Sequence, residues 1–351
     1  MNNGGVERGC VEVANYLAAC GHRSLVLSAG GTMVGLLASG VEHISLPVGK
    51  KSWTAWFLIK KLRTLFVDYK VDVVHARSRL PAWLAFLAIK KIKQHKPKFI
   101  TTVHGLYSVK KYSSIMARGD EVVAVSMTAL HYVKKHYAKY LRTEPTLIYR
   151  GIDPAQFAFG HDPDILWMHK FYQDFHQLVG HKMVLMAGRL TALKGAKDLL
   201  PWLKSKDNDA KLVFTADPAK DLYAAKLYHF FKQEKVDHRI IWIGVQQNMA
   251  DLYAVAHVVV SASQRPESFG RTVLEALAVG TPVVAYEHGG VGEILQKMFP
   301  EGRVEVRNSQ QLADKINAIL AGHVEMTAAE PFLLDDMLSQ TLSLYRQSCH
   351  A

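Results

Sequence analysis

The sequence has few cysteines and no long hydrophobic run, and each shortage excludes a class of protein. Its 351 residues include 3 cysteines, none in a Cys-x-x-Cys pair, which argues against a disulfide framework and against a zinc site. No apolar run approaches the roughly 20 residues that a membrane-spanning helix needs. The first residues lack the charged and apolar regions of a signal peptide, so we expect a cytoplasmic protein.

Acidic residues are scarce in the first half of the chain. Residues 1–150 carry 23 Lys and Arg against 8 Asp and Glu, and the remainder carries 20 against 23, so the net charge of +12 belongs to the first half. Within it, segment 50–63 interleaves Trp and Phe with Lys and Arg at helical spacing. This pattern is typical of a helix held at an anionic membrane surface. The alternative is that the aromatic residues pack inward and the lysines form a solvated face.

The same basic charge could also serve a nucleic acid, because clustered Lys and Arg attract phosphates of any kind. No nucleic-acid recognition motif accompanies the charge. We therefore expect no nucleic-acid partner, and we take the anionic membrane surface as the favoured one.

What the chain has instead is a regular alternation of strands and helices. Short β-branched apolar runs alternate with amphipathic stretches of about ten to fifteen residues, the pattern of parallel sheets with crossover helices. The sequence therefore predicts an α/β fold. Its length favours two cores of ordinary domain size, with the linker in residues 153–181. The predicted strands are 24–28, 71–75, 99–103, 122–125, 146–148, 183–187, 211–215, 240–243, 258–261, 283–286 and 304–306.

Two carboxylates flank a predicted helix start in residues 265–285. Good helix formers over 272–278, followed by Gly280, predict a short helix. Glu275 then lies in the first turns of this helix, and Glu267 lies on the loop before it. Carboxylates at such positions can accept hydrogen bonds from vicinal hydroxyls. The alternative is an ordinary strand, loop and helix with two solvated glutamates.

The backbone amides between the two glutamates are the unpaired donors of the helix start. They belong to Phe269, Gly270, Arg271 and Thr272. An anion such as a diphosphate is stabilised there by hydrogen bonds and by the helix dipole. An anion site with a hydroxyl acceptor on each side suits a nucleotide-sugar.

A second cationic segment follows the predicted strand 183–187. Arg189 and Lys194 lie between Gly188 and Gly195, at the carboxyl end of a parallel strand, where open α/β sheets bind ligands. An Arg and a Lys there can neutralise a diphosphate and stabilise it as a leaving group. The alternative is a surface turn with two solvated cations.

Two features of the first half point to ligand contacts more weakly. Gly4 and Gly5 would let the backbone approach donor phosphates or an acceptor closely, although they are not part of a Gly-x-Gly-x-x-Gly fingerprint. His104 follows a strand that ends at Val103, so it lies at a strand terminus; a lone histidine there can equally be structural. The other histidines show no zinc-ligand spacing, and no metal site is predicted.

Taken together, these motifs resemble the retaining family 4 glycosyltransferases, which have the GT-B fold. The resemblance rests first on Glu267-Ser-Phe-Gly270 with Glu275, and on Gly289-Gly290-Val-Gly-Glu293. Shorter matches cover nearly the whole chain and lie at residues 4–8, 104–105, 149–153 and 188–195.

The resemblance implies two Rossmann-like domains that face a cleft. Residues 1–160 would form the acceptor-side domain, residues 161–330 the nucleotide-sugar donor domain, and residues 331–351 a terminal helix that packs back on the first domain. In the family a strand precedes the Gly-Gly loop and lies in the middle of the first sheet. Only Met1–Asn3 come before Gly4 here, so that strand is expected to be missing.

The resemblance also implies roles for the residues singled out above. Glu267 would hold sugar hydroxyls and Glu275 the ribose, while Arg189 and Lys194 would carry the leaving group. His104 would contact the sugar or the acceptor. Glu293 would start a helix beside the donor and contact the nucleotide-sugar.

The implied activity is retaining transfer of a hexose or heptose from a nucleotide-diphosphate donor, with uridine diphosphate favoured, to a membrane-associated glycan such as the lipopolysaccharide core. The enzyme would be peripheral at the inner face of the cytoplasmic membrane, and no cofactor or metal is expected. Two alternatives stay open. One is a GT-B nucleotide-sugar epimerase or hydrolase, and the other is an inactive membrane-binding pseudoenzyme.

Overall fold

The computed structural model describes residues 1, 4–50, 55–205, 209–322, 324–329 and 332–350; of Ala55 and Trp56 only the backbone is described. The chain divides into two compact units. The first comprises Met1–Gly151 and Leu334–Ala351, and the second comprises Ile152–Leu333. Both are α/β units with parallel strands, which confirms the predicted fold class.

The elements follow the predicted alternation. The strands of the first unit are β1 (Ser24–Ser28), β2 (Val41–Ser45), β3 (Val73–Ala76), β4 (Lys98–Val103), β5 (Glu121–Ala124) and β6 (Thr146–Leu147). Its first helices are α1 (Gly5–Ala19), α2 (Ala55–Asp68), α3 (Arg79–Ile89) and α4 (Met127–Tyr137). The strands of the second unit are β7 (Met183–Met186), β8 (Lys211–Phe214), β9 (Ile240–Trp242), β10 (Val258–Ser261), β11 (Val283–Tyr286) and β12 (Arg303–Val304).

The helices of the second unit are α5 (Ile165–Asp174), α6 (Leu200–Lys204), α7 (Leu222–Gln233), α8 (Met249–Val255), α9 (Arg271–Val279), α10 (Gly289–Met298) and α11 (Ser309–Leu320). The last helix, α12 (Leu334–His350), belongs to the first unit. Its Met337, Leu338 and Tyr345 pack in one apolar cluster with Ile100 of β4 and Val123 of β5.

The second unit has one continuous sheet of six parallel strands in the order β12-β11-β10-β7-β8-β9. The chain builds β7, β8 and β9 in one direction and then returns to place β10 on the other side of β7. Every residue of β7, β10 and β11 is buried, because helices cover both faces of such a sheet. The reversal of strand order creates the crevice in which open α/β sheets bind ligands.

The strands of the first unit form two sheets instead of one. β1 pairs with β2, and β3, β4, β5 and β6 form a separate sheet in that order. A cavity of about 510 Å³ lies between them, lined by 24–27 of β1 and by 71–77 around β3. Among the described residues no strand pairs with the edges of β1 and β3 that line this cavity. The absence of a strand before the Gly-Gly loop stays a prediction.

Three strands depart from the prediction by more than one residue: β12 ends at Val304 and not at 306, and the start of β3 and the presence of β2 differ for local reasons. The predicted strand 71–75 begins two residues later, at Val73, because the backbone N–H of Val71 still donates to the carbonyl of Phe66 at the end of α2. Lys70 adopts a left-handed φ of 47° there, which is a common helix ending. Strand β2 was not predicted, since Val41-Glu-His-Ile-Ser45 lacks a run of apolar residues.

Candidate active site

Most of the predicted site residues lie in the loops after three neighbouring strands of the second unit and in the helices α9 and α10 that follow two of these loops. β7, β10 and β11 are adjacent and parallel, so the loops at their carboxyl ends meet at one edge of the sheet. These loops are 187–195, 262–270 and 287–288. They lie at the point where the strand order reverses, which is where ligands bind in this class of sheet.

Helix α9 begins at Arg271, as the sequence predicts to within one residue, and Gly270 makes this start possible. Gly270 has φ +114°, which side-chain-bearing residues rarely adopt, and a Cβ atom there would lie 2.6 Å from Cγ2 of Val291. As the N-cap residue of α9, Gly270 has no side chain that could occupy the helix start. The helix ends at Gly280, whose φ is +98°. Its first turn therefore offers backbone donors and the positive end of the helix dipole.

The second glycine motif holds the loop before α9 in place. The backbone N–H of Gly290 donates to the carbonyl of Glu267 at 2.8 Å. A Cβ atom on Gly289 would lie 2.5 Å from that carbonyl oxygen, and one on Gly290 would lie 2.4 Å from Cα of Phe269. The two glycines thus let α10 approach the loop backbone directly. Phe269 itself is buried and packs edge to face on Phe332, so its ring is not exposed to a ligand.

Lys194 and Glu267 form an ion pair at the centre of the site. Nζ of Lys194 lies 2.8 Å from Oε1 of Glu267, and the hydroxyl of Ser263 donates to the same oxygen. Lys194 is held by a short 3-10 turn that ends at Gly195, where a Cβ atom would lie 1.9 Å from the carbonyl oxygen of Ala262. The sequence places these two charges on separate loops, and the structure brings them together.

Gly188 brings the loop of Arg189 next to α9. An ideal Cβ on Gly188 would lie 3.8 Å from Cγ2 of Thr272, in the first turn of that helix. The backbone N–H of Gly188 donates to the hydroxyl of Thr215 at 2.8 Å, and its φ is +98°. Arg189 is exposed, so its guanidinium is accessible to an anion.

Glu275 is buried and is hydrogen-bonded within the second unit. One carboxylate oxygen accepts from Nε of Arg271 at 2.7 Å, and the other accepts from the hydroxyl of Tyr253 at 3.1 Å. Burial and the charge of Glu275 raise the pKa of Tyr253 well above its usual value. A carboxylate oxygen can accept more than one hydrogen bond, so contact of Glu275 with a ribose stays a prediction.

Glu293 lies further into its helix than the sequence indicates. Helix α10 begins at Gly289, which places Glu293 one turn inside the helix and not at its start. Its side chain is half-buried. Its contact with a nucleotide-sugar stays a prediction.

The remaining predicted residues lie in the first unit. Helix α1 begins at Gly5, and Gly4 precedes it in an extended conformation. His104 follows the end of β4, and Nη1 of Arg150 donates to its Nδ1 at 3.3 Å. Burial and the charge of Arg150 lower the pKa of His104 well below its usual value, so the imidazole is neutral at pH 7.

Three residues that contact the predicted ones have no clear signal in the sequence. Tyr253 lies 22 residues before Glu275, and Ser263 carries no motif of its own. Arg150 belongs to the shorter family match at 149–153, for which no ligand contact is predicted. A contact with a strand-end residue such as His104 could have been suspected from its position, because Arg150 is a basic residue that closely follows the carboxyl end of β6.

No three His, Cys, Asp or Glu side chains in the described ranges converge in a way that could hold a metal ion. Nor does any helix in those ranges combine the length and apolar character required to cross a bilayer.

Two family models match successive parts of the chain. Residues 3–156 match Glycosyltransferase Family 4, and residues 171–329 match Glycosyl transferases group 1. A protein from Methanocaldococcus jannaschii, described as an uncharacterised glycosyltransferase, is 26% identical over 98% of this chain and 94% of its own length.

Solved structures share the fold over nearly the full length. A glycosyltransferase from Rickettsia africae superposes with a TM-score of 0.84 at 28% identity, covering 99% of this chain and 97% of its own. Anabaena HepE, solved in complex with UDP and glucose, superposes with a TM-score of 0.81 at 18% identity, covering 98% and 96%. At that identity HepE shows a shared fold.

Proposed function

The chain belongs to the GT-B glycosyltransferases, and from that premise we propose that it is a retaining enzyme that transfers a hexose or heptose from a nucleotide-diphosphate sugar. The proposed donor class rests on the Lys194–Glu267 ion pair, which lies at the same edge of the sheet as the start of α9. Cation, carboxylate and helix start match the diphosphate and the sugar hydroxyls of one ligand. UDP is the nucleotide to test first, because the similar HepE was solved with it.

The leaving diphosphate gains negative charge as the bond from the sugar carbon to the phosphate oxygen breaks. Lys194, Arg189 and the first-turn amides of α9 are placed to stabilise that charge, and such preorganised donors are typically the largest single contribution to catalysis. Glu267 would orient Lys194 and accept hydrogen bonds from the sugar. With retained configuration, the departing phosphate oxygen would take the proton of the attacking hydroxyl.

A membrane-associated glycan, such as a lipopolysaccharide core, is the acceptor class we favour. Helix α2 buries Ile59 and Leu62, and it exposes Lys60 and Lys61 together with 74% of Phe57. A basic face with an exposed aromatic residue is suited to anionic headgroups. The predicted aromatic contacts of Trp53 and Trp56 concern side chains outside the described residues.

The divided sheet of the first unit favours a second candidate function. A chain whose acceptor-side strands form two separate sheets could bind or hydrolyse a nucleotide-sugar without transferring it. Hydrolysis would proceed without a glycolipid, and an inactive binding protein would release no UDP.

The test measures UDP release and product formation from a panel of UDP-sugars, with and without glycolipid acceptors in anionic vesicles. Transfer that requires the acceptor and retains the anomeric configuration supports the proposal. Lys194→Ala should lower kcat about 100- to 1,000-fold, the usual effect of losing one donor to a developing charge. Lys220→Ala removes an exposed lysine of the same unit and should leave turnover unchanged. Equal activity of both variants would contradict the assigned role of Lys194.

A further inference from the structure

Arg150 follows β6 and contacts residues of α1 and of the loop after β4. Its residue surface is only 6% exposed. Nη1 donates to Nδ1 of His104 after β4 at 3.3 Å, and Nη2 lies 3.8 Å from Oε2 of Glu12 on α1. The guanidinium therefore joins the helix that follows the Gly4-Gly5 loop to the histidine at the end of β4.

Gly9 of α1 makes room for this guanidinium. A Cβ atom on Gly9 would lie 2.6 Å from Nη2 and 2.9 Å from Nη1 of Arg150. A glycine inside a helix lowers helix stability by about 1 kcal/mol relative to alanine. At this position a larger side chain would displace the guanidinium from His104, which accounts for a glycine inside the helix.

The direction of the Arg150–His104 hydrogen bond determines where the imidazole proton lies. A guanidinium has five N–H donors and no acceptor. Nδ1 of His104 must therefore accept, which requires its lone pair. In a neutral imidazole one nitrogen accepts and the other carries the proton, so the proton lies on Nε2.

We propose that Arg150 is a positioning residue that fixes His104 as the Nε2–H tautomer, so that toward a sugar ligand His104 can act only as a hydrogen-bond donor and not as a base. The ligand in this statement rests on the proposed function. Nε2 already carries a proton, and protonation of Nδ1 would break the bond to Arg150 and place two cations side by side. A ligand oxygen at Nε2 would therefore accept a hydrogen bond, and the proton of the attacking hydroxyl would go elsewhere.

The direct test is nitrogen NMR of the full chain labelled on its histidine rings, without ligand and at pH 7.5. His104→Ala identifies the His104 signals by their loss. In the wild type we expect an unprotonated Nδ1 and a protonated Nε2. A protonated Nδ1, either in the other neutral tautomer or in an imidazolium, would overturn the proposal.

Variants test whether Arg150 causes the tautomer. Arg150→Lys retains a donor without an acceptor and should keep Nε2–H, whereas Arg150→Met should populate the Nδ1–H form. Gly9→Ala changes neither Arg150 nor His104 chemically, but its methyl group should displace the guanidinium and so also populate the Nδ1–H form. Arg142→Met, an exposed arginine of the same unit, should leave the spectrum unchanged. An unchanged His104 tautomer in both Arg150→Met and Gly9→Ala would show that Arg150 does not set it.

Kinetics then separate positioning from a structural role. In folded protein, Arg150→Met should lower kcat/KM about tenfold and Arg150→Lys should recover most of the loss, whereas equal loss in both would contradict tautomer control. The NMR result does not depend on activity. If the wild type shows Nε2–H but transfers no sugar, the proposed function fails and the tautomer assignment stands; if it transfers sugar with a protonated Nδ1, the assignment fails and the function stands.

Discussion

The two units of this chain have the same type of parallel sheet but differ in its continuity. In the second unit, β7, β10 and β11 are buried along their whole length. In the first unit, β1 alternates between buried and half-buried residues, and three of the four residues of β3 are half-buried. A cavity of about 510 Å³ separates those two strands. Similar local sequence patterns therefore produce one closed core and one divided core.

The two units also differ in the charge of their buried ionisable groups. The second unit holds charged pairs at its candidate site, Lys194 with Glu267 and Arg271 with Glu275. The first unit holds neutral imidazoles, His75 and His104, whose pKa values are lowered well below the usual range by burial and nearby arginines. We therefore expect the second unit to depend on intact ion pairs and the first unit to be sensitive to acid.

The largest expected effect is on the stability of the second unit. Glu275→Ala should lower its free energy of unfolding by about 3–5 kcal/mol, because Arg271 loses the partner of a buried ion pair and Tyr253 loses an acceptor. Urea unfolding measures this loss. Glu287→Ala breaks a surface pair with Arg303 and should change stability by less than about 1 kcal/mol.

Glu275→Gln separates the hydrogen bond from the charge. It keeps an acceptor for Tyr253 and should be milder than the alanine variant, and it also keeps an acceptor for the ribose. Ligand binding is therefore compared in folded Glu275→Ala: if this variant binds UDP-sugars as well as the wild type does, Glu275 is structural and its predicted contact with the ribose is wrong.

The next effect is on hydrogen exchange. Backbone amides of β7 and β10 should exchange at least about 100-fold more slowly than those on the cavity-facing edges of β1 and β3, because unpaired edges beside a cavity open at lower free energy. Amides between β4 and β5, which are paired within the first unit, provide the internal control. Equal protection of all these strands would mean that the first core is not divided in solution.

The smallest expected effect is a difference in acid sensitivity. A histidine of the unfolded chain binds a proton below about pH 6.5, whereas folded His75 and His104, with lowered pKa values, do not. The first unit should thus be fully stable above that pH. As the pH falls below it, each of these histidines should cost up to about 1.4 kcal/mol per pH unit.

Calorimetry at pH 7.5, 6.5 and 5.5 measures this slope. His75→Gln should remove about half of it, since one of the two neutral imidazoles is then gone. His131→Gln changes an exposed histidine of the same unit and should leave the slope as it is. In the second unit burial also lowers the pKa values of His257 and His288, but by less, so its stability should change less. A first unit that gains stability on acidification would contradict the account.

The sequence predicts best those helices and strands that are marked by a few neighbouring residues, such as a terminal glycine or an apolar run. Helix α9 is bounded by glycines whose positive φ no other residue adopts readily, and β7, β10 and β11 are continuous apolar runs. The sequence does not predict strand β2, because Val41-Glu-His-Ile-Ser45 has neither an apolar run nor a strict alternation of apolar and polar residues. The start of β3 was misplaced because Val71 completes the end of α2, a geometry that composition does not reveal.

The candidate site was predicted in its residues but not in its contacts. Lys194 and Glu267 are 73 residues apart, and their pairing depends on the order of strands in the sheet. The same holds for Arg150 and His104, which are 46 residues apart. A sequence indicates which groups stand at strand ends, whereas the fold decides which of these groups meet.

The central claim is that the second unit binds a nucleotide-diphosphate sugar at Lys194, Glu267 and the start of α9. Calorimetric titration of the full chain with UDP tests it most directly, comparing the wild type with Lys194→Ala and the control Lys220→Ala. The account predicts that the wild type and the control bind UDP equally and that Lys194→Ala loses about tenfold or more in affinity, as expected when a charge-assisted contact worth about 1.5–3 kcal/mol is removed. Equal binding by all three proteins would contradict it.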